Sequence, residues 1–231
     1  MKIDFTFRNQ EQEVYFWHTE RNGRFGGGFG NGKTYVACQR AIVHLMTFPN
    51  YRMAICRRTF KELKATTMQT FFKILPKEFI YSHDNQNGIT VLVNNSVIYW
   101  LHLDNFDEQS LRGLEVNSVL IDQAEEVAEA IYLVLDFRVG RWDKAEVPQH
   151  LLDKAKLNNT PWPTHAQYGN YLVPNYMDIL DNPTEDDEFH WIYQRFDPSS
   201  LSRLPDHFSV TRQTDESMND LRTLEQIKLR D

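Results

Sequence analysis

The feature that most constrains this chain is the stretch "GRFGGGFGNGKTYVACQRA", residues 23–41, which contains Gly27-x-x-x-x-Gly32-Lys33-Thr34. Glycines let successive backbone N–H groups converge on an anion in conformations that a side chain forbids. After Thr34 the apolar residues recur at helical spacing as far as Pro49, so the loop opens a helix whose N-terminus adds positive charge. The pattern predicts a phosphate loop. Gly27, Gly28, Phe29, Gly30, Asn31 and Gly32 form the cradle, Lys33 reaches the β- and γ-phosphates of ATP, and Thr34 ligates Mg²⁺. One part is thin: "ERNGRFG", ahead of the loop, offers only Phe25 as an apolar residue, so the strand expected there is very short.

Such a loop needs a carboxylate partner at the end of an apolar strand, and "VLID" supplies it in Asp122. The competing role for Asp122 is to cap the following helix. The next residue is Gln123, whose neutral amide can orient water but cannot accept its proton. Glu125 and Glu126 follow at once, on a helix expected to start near Ala124. Either can turn back toward the γ-phosphate as the base, with Glu126 the first choice. The other readings are Gln123 acting alone and two solvated acids at a helix start, which the macrodipole favours.

The remaining pattern alternates strands and helices. "YRMAIC" and "SVLID" read as buried strands, and "ITVLV-NN-SVIYWLHL" as a hairpin with Asn94-Asn95 at positive φ. "TFKELKATTMQTFFKIL" and "QAEEVAEAIYLVLDFRV" each read as one helix, residues 143–170 as a loop-rich insertion, and "YLVPNYMDILDNP" as a late strand. "FHWIYQRF" and "DLRTLEQIKLRD" read as short closing helices. This order predicts an α/β P-loop NTPase of the additional-strand, RecA-like class, with a mostly parallel central sheet flanked by helices. The 231 residues suit one domain spanning 1–231. A net charge of −7 argues against tight freestanding nucleic-acid binding. No run of about 18 apolar residues predicts a membrane span. Cys38 and Cys56 read as buried hydrophobes of a reducing compartment.

Taken in order, "GGGFGNGKT", "MAICRRTFKELKATTMQTF", "SLRGLEVNSVLIDQAEEV", "LDFRVGRW" and "MDILDNPTEDDEFHWIYQRF" resemble the N-terminal ATPase domain of the large terminase subunit of tailed bacteriophages, a DNA-packaging motor. The resemblance implies ATP hydrolysis that drives double-stranded DNA into a procapsid. It implies a homo-oligomeric ring on the portal protein, a small terminase subunit as partner, and a location in the host cytoplasm with transient docking on the procapsid. It assigns an arginine finger acting on a neighbouring subunit to the loop of Arg112, with Arg138 and Arg141 as alternatives. It suggests Gln10 or Gln12 for adenine sensing, against a plain exposed helix face, and Asn182 for coupling hydrolysis to motion. Lys61, Lys64 and Arg57 are candidate DNA contacts. Family members often carry an arginine where this loop has Phe29, so no finger comes from the loop unless Arg24 bends in. The family's nuclease domain is not expected, because the chain ends at Asp231. The acids Glu185, Asp186, Asp187 and Glu188 read as solvated rather than as its metal site. The alternatives are a DNA helicase or remodelling ATPase, and a nucleotide-binding module whose hydrolysis is impaired by Gln123.

Overall fold

The computed structural model describes residues 3–18, 21–104, 111–158, 173–182 and 208–212. The late acidic run, the His190-Trp191 pair and both expected closing helices lie outside them. A seven-stranded sheet has the order β2 (Asn22–Gly26), β8 (Tyr176–Asp181), β7 (Ser118–Asp122), β3 (Arg52–Arg57), β6 (Val97–His102), β5 (Ile89–Leu92), β4 (Ile80–Asp84). The pairs from β2 to β6 are parallel, and the hairpin β5 and β4 are antiparallel. β1 (Ile3–Phe7) pairs in parallel with β9 (Phe208–Arg212) in a separate two-stranded sheet. The expected fold class holds. The strand lying in space between the phosphate-loop strand β2 and the Asp122 strand β7 is the late strand β8, whereas β3 flanks β7 on its other side.

The central strands are buried almost throughout, and their side chains alternate between two cores with the period of two that a pleat imposes. Met53, Ile55, Leu120, Tyr176 and Leu180 join the larger core, with α1 (Gln10–Trp17), α2 (Lys33–Thr47) and α4 (Thr67–Ile74). Ala54, Cys56, Val119, Ile121 and Met177 join the second core, with α5 (Glu129–Asp136). Helices therefore cover both faces. Cys38 and Cys56 are buried free thiols, and burial pushes both pKa values up. Among the described residues, no helix is long and apolar enough to cross a membrane.

Four local expectations need correction. "TFKELKATTMQTFFKIL" is two helices, α3 (Phe60–Ala65) and α4, broken at Thr66 (φ −126°, ψ −70°). The Thr66 hydroxyl donates back to the Glu62 carbonyl at 2.8 Å, a bond that bends helices. "QAEEVAEAIYLVLDFRV" opens instead with a 3₁₀ turn, Ala124–Glu126, separated from α5. The hairpin places only Asn95 of its asparagine pair at positive φ (64°). It closes as a three-residue loop, with Asn95 N–H donating to the Leu92 carbonyl. The segment expected to be loop-rich contains α6 (Gln149–Asn158), with Leu151 buried.

Candidate functional site

The period of two also orders the carboxyl edge of the sheet. Counting on from the core-facing residues, Asn182 after β8, Asp122 ending β7 and Arg57 ending β3 all fall on the face covered by α2. Three adjacent strands thus end in polar side chains beside the glycine loop that follows β2. Parallel sheets bind their ligands at this edge.

The loop has the backbone that its glycines permit. Gly30 and Gly32 sit at φ 82° and 69°, and Gly32 leads directly into Lys33, the first residue of α2. A Cβ on Gly32 would also meet Gln12 Nε2 at 2.7 Å. The Lys33 ammonium donates to the carbonyls of Gly27 (2.6 Å) and Gly28 (3.0 Å) and to Asn182 Oδ1 (2.7 Å). Its three N–H donors are all engaged. Burial lowers its pKa, opposed by the charges of Glu125, Asp122 and Asp181. Asn182 Nδ2 in turn donates to Glu125 Oε1 at 2.6 Å, so one amide joins the lysine to the glutamate.

Asp122 is buried, and it does not cap the following turn, which has no side-chain cap. Its two oxygens each lie 3.1 Å from Thr34 Oγ1. Thr67 Oγ1, at the start of α4, donates to Asp122 Oδ2 at 2.7 Å. Arg57 Nη1 lies 3.9 Å from the same oxygen. Gln123 is left-handed (φ 54°), and its Oε1 is buried without a hydrogen-bond partner, as is Glu126 Oε2. Tyr132 on α5 borders the site. Burial, then the charges of Asp181 and Glu125, push its hydroxyl up to about 12.

The other predicted residues divide. Gln12 is buried and braces the loop: its Nε2 donates to the Asn31 carbonyl at 2.6 Å, and its Oε1 accepts from Arg8 N–H at 2.9 Å. Gln10 is exposed at the start of α1. Phe29 is 85 % exposed. Arg24 pairs with Asp181 at 2.6 Å. Arg112 is exposed, and its carbonyl accepts from Arg138 Nη1 at 2.6 Å. α5 starts just past Asp122 and ends at Asp136, which pairs with Arg21 ahead of β2 at 2.9 Å. It therefore runs toward the amino edge, and Arg112 sits beside its far end, away from Lys33. Arg141 Nε is spent on the Phe137 carbonyl (3.1 Å). Lys61 and Lys64 are exposed on α3, while Arg57 turns inward, a correction to its reading as a DNA contact.

Sequence reasoning missed a second polar group on the same face. Asp178 on β8 accepts from Tyr15 Oη (2.9 Å) and Arg40 Nε (2.9 Å), and its Oδ1 lies 3.0 Å from His18 Nε2. Arg40 also donates to the carbonyls of Phe16 and His18, both at 2.9 Å, and lies 4.6 Å from the centre of the Tyr176 ring. Burial works to raise the Asp178 pKa, but Arg40 and His18 outweigh it and hold it at about 2. The signal was present: Asp178 alternates with Tyr176 and Leu180 toward the core, and a charge there needs partners. Thr67 was hidden inside the helix expected to be continuous.

A family described as "Terminase large subunit, T4likevirus-type, N-terminal" matches residues 24–193. No curated protein matches the chain. The large terminase of a thermophilic bacteriophage is similar in structure at 11 % identity and TM-score 0.55, over 95 % of this chain and 49 % of that one. The same terminase in complex with ADP gives 13 % identity and TM-score 0.52, over 96 % and 48 %. A mutant of the large-terminase ATPase domain of Thermus phage P74-26 gives 12 % identity and TM-score 0.52, over 96 % and 87 %. The chain thus spans about half the length of that thermophilic-phage terminase chain.

Proposed function

The chain belongs to the terminase large-subunit family of the T4-like-virus type, matching its N-terminal part, and we propose that it is the ATP-hydrolysing motor domain that drives double-stranded DNA into a viral procapsid. The observation that carries the reading is Lys33, whose ammonium is held by two loop carbonyls and Asn182 at the carboxyl edge of the sheet. A triphosphate in the loop exchanges these acceptors for β- and γ-phosphate oxygens. A likeness to a terminase solved with ADP supports the same ligand class.

The residues fit magnesium as well. Thr34 Oγ1 and the Asp122 carboxylate lie together, the hydroxyl and acid that such an ion takes, one directly and one through water. The ion supplies charge that neutralises the phosphate oxygens. Asp122 stays oriented by Thr67. We assign the base to Glu125 ahead of Glu126, because Asn182 ties it to Lys33 and its charge acts most strongly of the three acids on that lysine. Gln123 orients water, and Gln12 holds the loop on its adenine side. Arg112, on the far side of the domain, serves a neighbouring subunit. The motor is then a ring that touches DNA transiently, docks on the portal with a small subunit, and works in the host cytoplasm.

Steady-state ATP turnover tests this. Wild type should hydrolyse ATP with a specific activity that rises with protein concentration, and Lys33→Ala should lose at least about 10³-fold. ATP binding without turnover at any concentration would replace the motor reading with a nucleotide-binding module.

A further inference from the structure

We propose that Arg57 is a catalytic residue of this site, a cation supplied in cis to the γ-phosphate. The inference rests on the ATPase reading above and adds a group that the loop lacks. An arginine is absent from the loop itself, where Phe29 points to solvent. Arg24 is spent on Asp181, and Arg112 sits at the far end of α5. Among the described residues, Arg57 is the arginine whose guanidinium borders the metal carboxylate.

Three independent observations aim it there. β3 is the direct neighbour of β7, with Cys56 opposite Ile121, so Arg57 stands beside Asp122. Met53 and Ile55 face the α2 core, so Arg57, two residues on, projects from the same face as Asp122 and Asn182. The side chain is 11 % exposed yet poorly satisfied. Its Nη1 donates to Thr66 Oγ1, its Nε has no hydrogen-bond partner, and Glu62 is no nearer than 4.0 Å. An almost buried guanidinium whose Nε has no hydrogen-bond partner, and whose nearest carboxylates stand at 3.9 and 4.0 Å, costs free energy unless an anion completes it.

The break between α3 and α4 explains how it is held. Thr66 engages Arg57 and Thr67 engages Asp122, so consecutive hydroxyls fix the cation and the acid side by side. During hydrolysis the water oxygen bonds Pγ as the bond from Pγ to the bridging oxygen of ADP breaks. Glu125 takes the water proton, and ADP and phosphate leave. Arg57 donates to the γ-phosphate oxygens, whose shared charge its planar fork matches.

The test compares Arg57→Ala, Arg57→Gln and Arg57→Lys with wild type in the intact chain. Arg57→Ala should lower kcat by about 10²-fold or more. It should also weaken ATPγS binding while leaving ADP affinity within about twofold, since the γ-phosphate is the contact. Arg57→Gln, which keeps a polar group of part of the length without the charge, should keep the melting temperature and lose kcat. Arg57→Lys should recover part of it. Mixing Arg57→Ala with Lys33→Ala should not restore turnover, because each site needs its own Arg57, whereas a finger acting between subunits is restored by such mixing. The proposal is overturned by restored turnover in that mixture. Equal weakening of ADP and ATPγS overturns it too, since Arg57 then acts through Asp122. Unchanged kcat with weakened DNA binding also does so, while an inactive wild type removes the ATPase reading instead.

Discussion

Asp178 and Asn182 lie on the same face of one chain segment, four residues apart, and each anchors a polar group beneath α2. The group around Asp178 is closed. Tyr15, His18 and Arg40 all meet the carboxylate, and Arg40 Nη1 also reaches two carbonyls at the end of α1. The group around Asn182 is not. Lys33 is parked on its own loop, while Gln123 Oε1, Glu126 Oε2 and Arg57 Nε are buried without partners. A satisfied buried network holds a fold in one arrangement, and an unsatisfied one stores demand for a ligand. Sequence alone does not separate them, since each is acids and bases beside apolar strands.

Mutation at the edge should break activity and spare the fold. Glu125→Gln removes the proton acceptor while keeping a group for the Asn182 amide. We expect turnover to fall about 10²- to 10⁴-fold, the range for general acid–base groups, with the melting temperature unchanged. Glu126→Gln should cost far less. Single-turnover hydrolysis separates the two, and a larger loss in Glu126→Gln would move the base to that residue.

Mutation in the closed group should do the reverse. Asp178→Asn leaves Arg40 buried without its counter-charge, and removing one partner of such a pair costs about 3–5 kcal/mol. Denaturant unfolding should show that loss, and the molecules that remain folded should turn over ATP at near the wild-type rate. The double variant Arg40→Met with Asp178→Leu should be more stable than either single one, because no lone charge is left. If Asp178→Asn keeps its stability but loses turnover, the closed group belongs to the catalytic site and the contrast fails.

How much of this was legible follows from what each pattern records. The phosphate loop and Asp122 were readable because their chemistry depends on short spacing and on a strand ending in an acid. The strand before the loop reads as very short, yet β2 runs five residues, as many as β7, and its place explains its thin apolar content. Among the described residues β2 pairs only with β8, and Gly23 is bare because a Cβ would run into the His18 ring and the Asp178 carboxylate. The break at Thr66 was not legible. No glycine or proline marks it, and its partners Arg57 and Asp122 arrive from strands 9 and 55 residues away. Gln12 looked like one of two equivalent glutamines, and only tertiary contact separates its buried brace from the exposed Gln10. Choosing between Glu125 and Glu126 needed the 3₁₀ turn, which gives adjacent residues different neighbours.

Acid titration provides the smallest effect and the finest comparison. Asp178 is held at about 2, below the ordinary 3.8, because Arg40 and His18 outweigh the cost of its burial. A carboxylate whose folded value is depressed adds stability that is complete above its unfolded value. That stability is lost as the pH falls toward the folded one. The window is therefore about pH 4 down to pH 2, and the contribution is on the order of 2 kcal/mol. The measurement is the unfolding free energy of wild type and Asp178→Asn between pH 6 and pH 2.5. Wild type should fall more steeply, and the two curves should converge as Asp178 protonates. Parallel curves would mean that Asp178 titrates alike in the folded and unfolded chain. The closed group would then hold the fold through packing and neutral hydrogen bonds, without its ion pair.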